Sequence, residues 1–199
     1  MIVGAWDALI QSAAMEAGID PSILAAVVAI ESKGNPRATR YEPAYQRRYV
    51  EPNSALMALP WGARRIATSY GLGQMMYPTA LEVGLPSTTA PEALFDPALN
   101  LRLSARYLAK CLRRSSGNVE DAISRYNSGQ PLSKAPAYTR GEHLPRFRAA
   151  WARARGQVLS SLVSFTPSTV GLPVTILTGV GLVFMVGILR RILGDERNP

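Results

Sequence analysis

Apolar residues recur at helical spacing over the first part of the chain. Trp6, Leu9, Ile10, Ala13, Ala14 and Ala17 share one face of a helix over residues 5–17, and Gly18 stops it. Asp20-Pro21 reads as an N-cap followed by proline at the first helical position. The pattern predicts a helix from Ser22 to Ser32. Its stretch Ile23-Leu24-Ala25-Ala26-Val27-Val28-Ala29-Ile30 is apolar almost all round, which puts it in the centre of a domain. Lys33-Gly34-Asn35-Pro36 ends it.

Residues 37–70 are irregular in pattern and predict short helical pieces around Tyr41-Glu42-Pro43, Arg47-Arg48-Tyr49 and Pro60-Trp61. Gly71 and Gly73 bracket Leu72, where the backbone must pass close to something. Pro78-Thr79-Ala80-Leu81 opens another helix, and Glu92 to Phe95 predicts a helical turn. Asp96-Pro97 repeats the cap-and-proline signal before a helix from Ala98 to about Arg114, which Ser115-Ser116-Gly117 breaks. Asn118 opens a helix that ends at Tyr126-Asn127-Ser128-Gly129, and a last helix is expected over Leu144 to Gln157. No period-two strand pattern of any length is present, so the expected fold class is all-α or α-rich.

The pattern changes after Gln157. No charged residue occurs from Val158 to Leu189. Residues 158–169 read as a linker. Val170 to Leu189 spans about 30 Å at the helical rise, the thickness of a bilayer core. It is expected to be a transmembrane helix, with a buried or interfacial helix as the alternative. Residues 190–199 form a short charged tail.

Charge adds a second constraint. The chain has 22 Lys/Arg against 14 Asp/Glu, a net charge of +8. Such a balance suits a polyanionic partner or a well-solvated surface. No nucleic-acid-binding signature accompanies it, so no specific nucleic-acid partner is expected. The single cysteine, Cys111, cannot form an intramolecular disulfide and falls in an apolar-periodic helix, which makes it a core residue. His143 is the one histidine, which argues against a His-based metal site. No metal or organic cofactor is expected.

Glu31 stands out among the carboxylates. It closes a buried helix, where burial and the negative end of the helix dipole both disfavour its charged form. A carboxyl group kept protonated is what a general acid requires. A general acid often works with a second carboxylate that serves as base or nucleophile. Glu42 and Glu51, in the irregular region, are the candidates for a second, whereas Asp96 is explained as a cap.

Glu31-Ser32, Asn35-Pro36, Gly71-Leu72-Gly73-Gln74-Met75, Asp96-Pro97 with Asn100, and Tyr126-Asn127-Ser128-Gly129 together resemble the lysozyme-like soluble lytic transglycosylases, over Ile19 to Tyr138. The resemblance implies a lysozyme-like domain over residues 1–157 that cleaves peptidoglycan glycan strands. It implies one glutamate, Glu31, acting as acid and then base. The substrate N-acetyl group would assist, and the muramic acid 6-hydroxyl would attack, leaving a 1,6-anhydro sugar. Ser69 is similar to the family serine near the N-acetyl group. Gln74 and Met75 resemble the groove wall, Tyr126 and Asn127 match the aromatic-Asn pair, and Tyr138 corresponds to a later groove tyrosine. The chain departs from the family pattern at Arg125 and Ser128, where alanine is usual, and at Gly73, where methionine is usual. A goose-type lysozyme, or a membrane-anchored structural or pore protein that only binds glycan, are the alternatives.

Arg190, Arg191 and Arg197 follow the apolar span, so the positive-inside rule puts the tail in the cytoplasm and the domain against the cell wall. The residues from Met1 to Asp7 do not read as a signal peptide. The expectation is a bacteriophage virion protein, partnered by other virion proteins, that opens the wall locally as the genome enters. A bacterial inner-membrane enzyme on the periplasmic face is the alternative.

Overall fold

The computed structural model describes residues 4–163. The expected span at 170–189, the tail at 190–199 and the linker beyond Val163 lie outside the described residues. Among the described residues no helix is long and apolar enough to cross a membrane.

A 3-10 turn at Gly4–Trp6 leads into α1 (Asp7–Ala17), which stops at Gly18 in the left-handed region, φ 67°. Helix α2 (Pro21–Glu31) opens as its sequence demands: the Asp20 carboxylate accepts from the Ser22 N–H at 2.8 Å, and Pro21 fills a position that needs no N–H. Ile23, Leu24, Ala26, Val27 and Val28 are buried along it.

The chain between α2 and residue 96 is a series of short pieces. Strand β1 (Thr39–Tyr41) is followed by α3 (Pro43–Tyr45), a π-helical turn (Gln46–Val50), α4 (Ser54–Met57) and α5 (Ala63–Ile66). Strands β2 (Thr68–Tyr70) and β3 (Met75–Met76) precede α6 (Tyr77–Glu82), and a 3-10 turn covers Pro91–Phe95. The strands form an antiparallel sheet in the order β1-β2-β3, with Arg40 opposite Ser69 and Ser69 opposite Met76. No apolar–polar pattern in the chain announces this sheet. Two or three residues are too few to express an alternation of apolar and polar side chains. The fold is therefore α-rich rather than all-α.

Helix α7 (Pro97–Arg114) is capped by Asp96, which accepts from the Leu99 N–H at 2.7 Å, and α8 (Val119–Ser128) is capped by Asn118, which accepts from the Asp121 N–H at 2.9 Å. A second π-helical turn (Thr139–His143) runs into α9 (Leu144–Val163). Helix α9 continues past Gln157 into residues read as linker, because no glycine or proline interrupts the chain before Pro167.

Two apolar cores result. Helices α1, α2, α7, α8 and α9 enclose one, with Leu24, Val28, Leu101, Leu108, Ile123 and Phe147 inside. The sheet, the short helices and one face of α7 enclose the other, with Val50, Ile66, Tyr70, Met75, Tyr77 and Leu94 inside. Cys111 is buried, and that burial pushes its thiol up to about 11, which fits a packed core residue and not a nucleophile.

Candidate active site

Glu31 is the last residue of α2, and the chain turns sharply after it. The Ser32 hydroxyl donates to the Val28 carbonyl at 3.2 Å and accepts from the Gly34 N–H at 3.2 Å. Lys33 and Gly34 both adopt positive φ, 55° and 77°, which reverses the chain toward β1. The Trp6 indole N–H donates to the Gly34 carbonyl at 3.0 Å and pins the turn from below. Glu31 is thus held by a helix on one side and a fastened turn on the other.

The segment 71–74 supplies the opposite wall. It crosses α7 so closely that a Cβ on Gly71 would lie 2.5 Å from the Asn100 amide nitrogen, and one on Gly73 would lie 2.1 Å from the Ser104 hydroxyl. Asn100, fully buried on α7, fastens the crossing. Its amide donates to the Tyr70 and Leu94 carbonyls at 2.9 and 2.8 Å, and its oxygen accepts from the Gly73 N–H at 2.8 Å. Gln74 then takes a positive φ of 49°, and its amide donates to the Ala38 and Gly71 carbonyls at 3.1 and 2.9 Å. This ties the glycine turn to the chain leaving α2.

The end of α8 and the turn after it close the third side. The Asn127 oxygen accepts from the Thr139 hydroxyl at 2.9 Å and so anchors the π-helical turn. That turn brings His143 to Glu31, with Nε2 2.9 Å from Oε1. His143 is 5% exposed, and its Nδ1 is buried without a hydrogen-bond partner. Glu31, Gln74, Asn127, Tyr138 and His143 line one cleft of about 340 Å³, together with Lys33, Arg40 and Arg146.

A family model described as the transglycosylase SLT domain matches residues 8–142, more than half of the chain. The chain belongs to this family. The family's members are peptidoglycan lytic transglycosylases, so the substrate class is peptidoglycan and the reaction class is glycan-strand cleavage. The helix-rich, lysozyme-like architecture agrees with that membership.

The cleft of this SLT domain gathers four of the residues singled out from the sequence: Glu31, Gln74, Asn127 and Tyr138. Tyr138 is 46% exposed, and its ring lies 6.4 Å from that of His143, tilted by 52°. Three others are not on its wall. Ser69 is buried on the central strand, 4% exposed. Met75 points into the second core, because the chain enters β3 directly after Gln74. Tyr126 packs between the two cores and donates its hydroxyl to the Gly73 carbonyl at 2.8 Å. Burial pushes the Tyr126 phenol far above its usual value, so it remains a donor that props the glycine turn.

Neither candidate second acid reaches the cleft. Glu42 pairs with Arg40, and Glu51 accepts from the Gln46 amide at 2.7 Å. The sequence reading missed His143. It lies 112 residues from Glu31, a separation that no motif spacing reveals, and its being the chain's single histidine was the only signal.

Proposed function

We propose that this chain is a lytic transglycosylase that cleaves the β-1,4 bond between N-acetylmuramic acid and N-acetylglucosamine and forms 1,6-anhydro-muramic acid. The observation that carries this reading is the carboxylate inventory. Among the described residues Glu31 is the one Asp or Glu lining the cleft. A hydrolase of the usual kind needs a second carboxylate to activate water or to form a covalent intermediate. A single carboxyl group suits a reaction in which the substrate supplies the rest.

In that reaction protonated Glu31 gives its proton to the glycosidic oxygen as the C1–O bond breaks. The N-acetyl carbonyl oxygen of the muramic acid stabilises C1. The Glu31 carboxylate then takes the proton of the C6 hydroxyl, whose oxygen bonds to C1. Glu31 ends protonated, and no water is consumed. Gln74, Asn127 and Tyr138 hold the sugars across the carboxyl group, while Lys33, Arg40 and Arg146 make the rim favourable to the acidic groups of peptidoglycan.

Mass analysis of muropeptides released by the full chain tests this. Anhydro-ended products support it. Reducing-ended products would overturn it in favour of a goose-type lysozyme acting with water.

The proposed setting is a membrane. The apolar run Val170–Leu189, followed by Arg190 and Arg191, supports an anchor with the SLT domain on the wall side. A virion placement rests on the pairing of a wall-cleaving domain with this segment. Proteomics of purified phage particles tests it, and absence of the chain from them would overturn it.

A further inference from the structure

We propose that His143 is the positioning residue for Glu31: its Nε2–H donates to Oε1 and thereby leaves Oε2 as the oxygen that gives and takes the reaction's proton. The inference rests on the reading of Glu31 as the acid and base. His143 lies just beyond the residues that match the SLT family, 8–142, so family membership does not assign it.

The surroundings of the ring select the tautomer. Nε2 lies 2.9 Å from Oε1, whereas Nδ1 is buried and meets no partner. A proton on Nδ1 would bury an unpaired N–H donor, a costly arrangement. A proton on Nε2 is used, and Nδ1 is left as a bare acceptor. The Nε2–H form of the neutral ring therefore satisfies the site best, with the proton aimed at Glu31.

The ring is also held firmly enough to aim a carboxyl group. Thr139, at the start of the same π-helical turn, is 1% exposed and bonded to Asn127. Leu144 and Phe147, which follow His143, are buried in the helical core. Among the described residues no hydrogen bond engages Oε2 of Glu31. The charged groups that share the cleft, Lys33, Arg40 and Arg146, are exposed, and none of them is recorded within bonding distance of Glu31.

One bond can serve both halves of the reaction. While Glu31 carries its proton on Oε2, Oε1 is a carbonyl oxygen that accepts from Nε2. Once the proton has gone to the glycosidic oxygen, Oε1 belongs to a carboxylate, and the same bond becomes the stronger charge-assisted kind. The bond thus strengthens as the leaving group departs, and it keeps Oε2 facing the C6 hydroxyl for the second step.

The test compares the full chain with His143→Ala and His143→Gln on soluble peptidoglycan oligosaccharides. The alanine variant is expected to lower kcat roughly 10- to 100-fold, the range that one hydrogen bond to a charged group commands. KM should stay near the wild-type value. His143→Gln, whose amide can donate to Oε1, should recover most of the rate. Wild-type kcat in the alanine variant, a change in KM alone, or a glutamine variant no better than alanine would overturn the proposal. The chain's single histidine allows a measurement that survives misfolding of the variants. In 15N-histidine spectra of the wild type, Nε2 should carry the proton and its signal should move on Glu31→Gln. A proton on Nδ1, or no response to Glu31→Gln, would overturn it. Wild-type protein that releases no glycan would instead sink the transglycosylase reading, while the spectra still report on the pair.

Discussion

The two cores of this SLT domain are built in different ways. The helical core is drawn from both ends of the domain and filled by aliphatic side chains at helical spacing. The sheet-side core is assembled mostly from short pieces between Tyr41 and Leu103, and buried polar groups hold those pieces in place. The Asn100 side chain there binds the Tyr70 and Leu94 carbonyls, the Gly73 N–H and the Ser104 hydroxyl. The Tyr77 hydroxyl accepts from the Trp61 indole at 2.8 Å and faces the Ser87 and Thr89 carbonyls at 3.1 and 2.9 Å. The Tyr70 hydroxyl donates to the Arg65 carbonyl at 2.9 Å. The difference separates two jobs. The helical core fixes Glu31 by burial, which tolerates small shifts. The sheet-side core shapes the facing wall by directional bonds, which do not.

This contrast is sharpest for substitutions that remove comparable stability from either side. Leu24→Ala empties a fully buried site of the helical core and should cost about 2–5 kcal/mol in denaturant unfolding. Turnover by the fraction that remains folded should be little changed. Asn100→Ala should cost about 3 kcal/mol, because it strands the Tyr70 and Leu94 carbonyls and the Gly73 N–H inside the protein. Unlike Leu24→Ala, it should also cut turnover, since the glycine turn loses its fastening. Equal catalytic losses in the two variants would break the comparison.

Gly71→Ala probes the same wall from the backbone. The residue has φ 72°, and its new Cβ would meet the Leu94 carbonyl. The expected cost is about 2 kcal/mol, with a loss of turnover that accompanies it. The smallest effect is expected from Asp121, half-buried on the first turn of α8. The Ser115 hydroxyl, with the Leu132 N–H and the Arg125 guanidinium, holds its carboxyl down at about 2 against the opposing effect of burial. Its folded value is depressed, so its contribution is complete above the ordinary carboxylate range and fades as pH falls toward 2. Asp121→Asn should cost about 1 kcal/mol at neutral pH and flatten that acid limb in pH-dependent unfolding.

The same contrast explains what the sequence disclosed. Asp20, Asp96 and Asn118 were legible as caps because a cap is a contact between neighbours in the chain. Helix α2 and the place of Glu31 at its end followed from periodicity. The sheet was hidden because its strands are too short to carry a pattern. Gly71 and Gly73 announced a close approach, but their partners on α7, Asn100 and Ser104, are set by tertiary packing. Met75 and Tyr126 sit in motifs that adjoin the cleft, yet their side chains fill the cores behind it. His143 reaches Glu31 through a turn after α8, and neither local propensity nor motif spacing encodes that return.

Glu31 is the group that moves the proton in the proposed reaction. The most direct measurement is the rate of glycan release from peptidoglycan by the full chain and by Glu31→Gln, with thermal unfolding of both followed in parallel. Glu31→Gln should fold as the wild type does and lose rate by roughly 100-fold or more, the scale of a positioned general acid and base. A folded Glu31→Gln variant that releases glycan at the wild-type rate would contradict this role for Glu31.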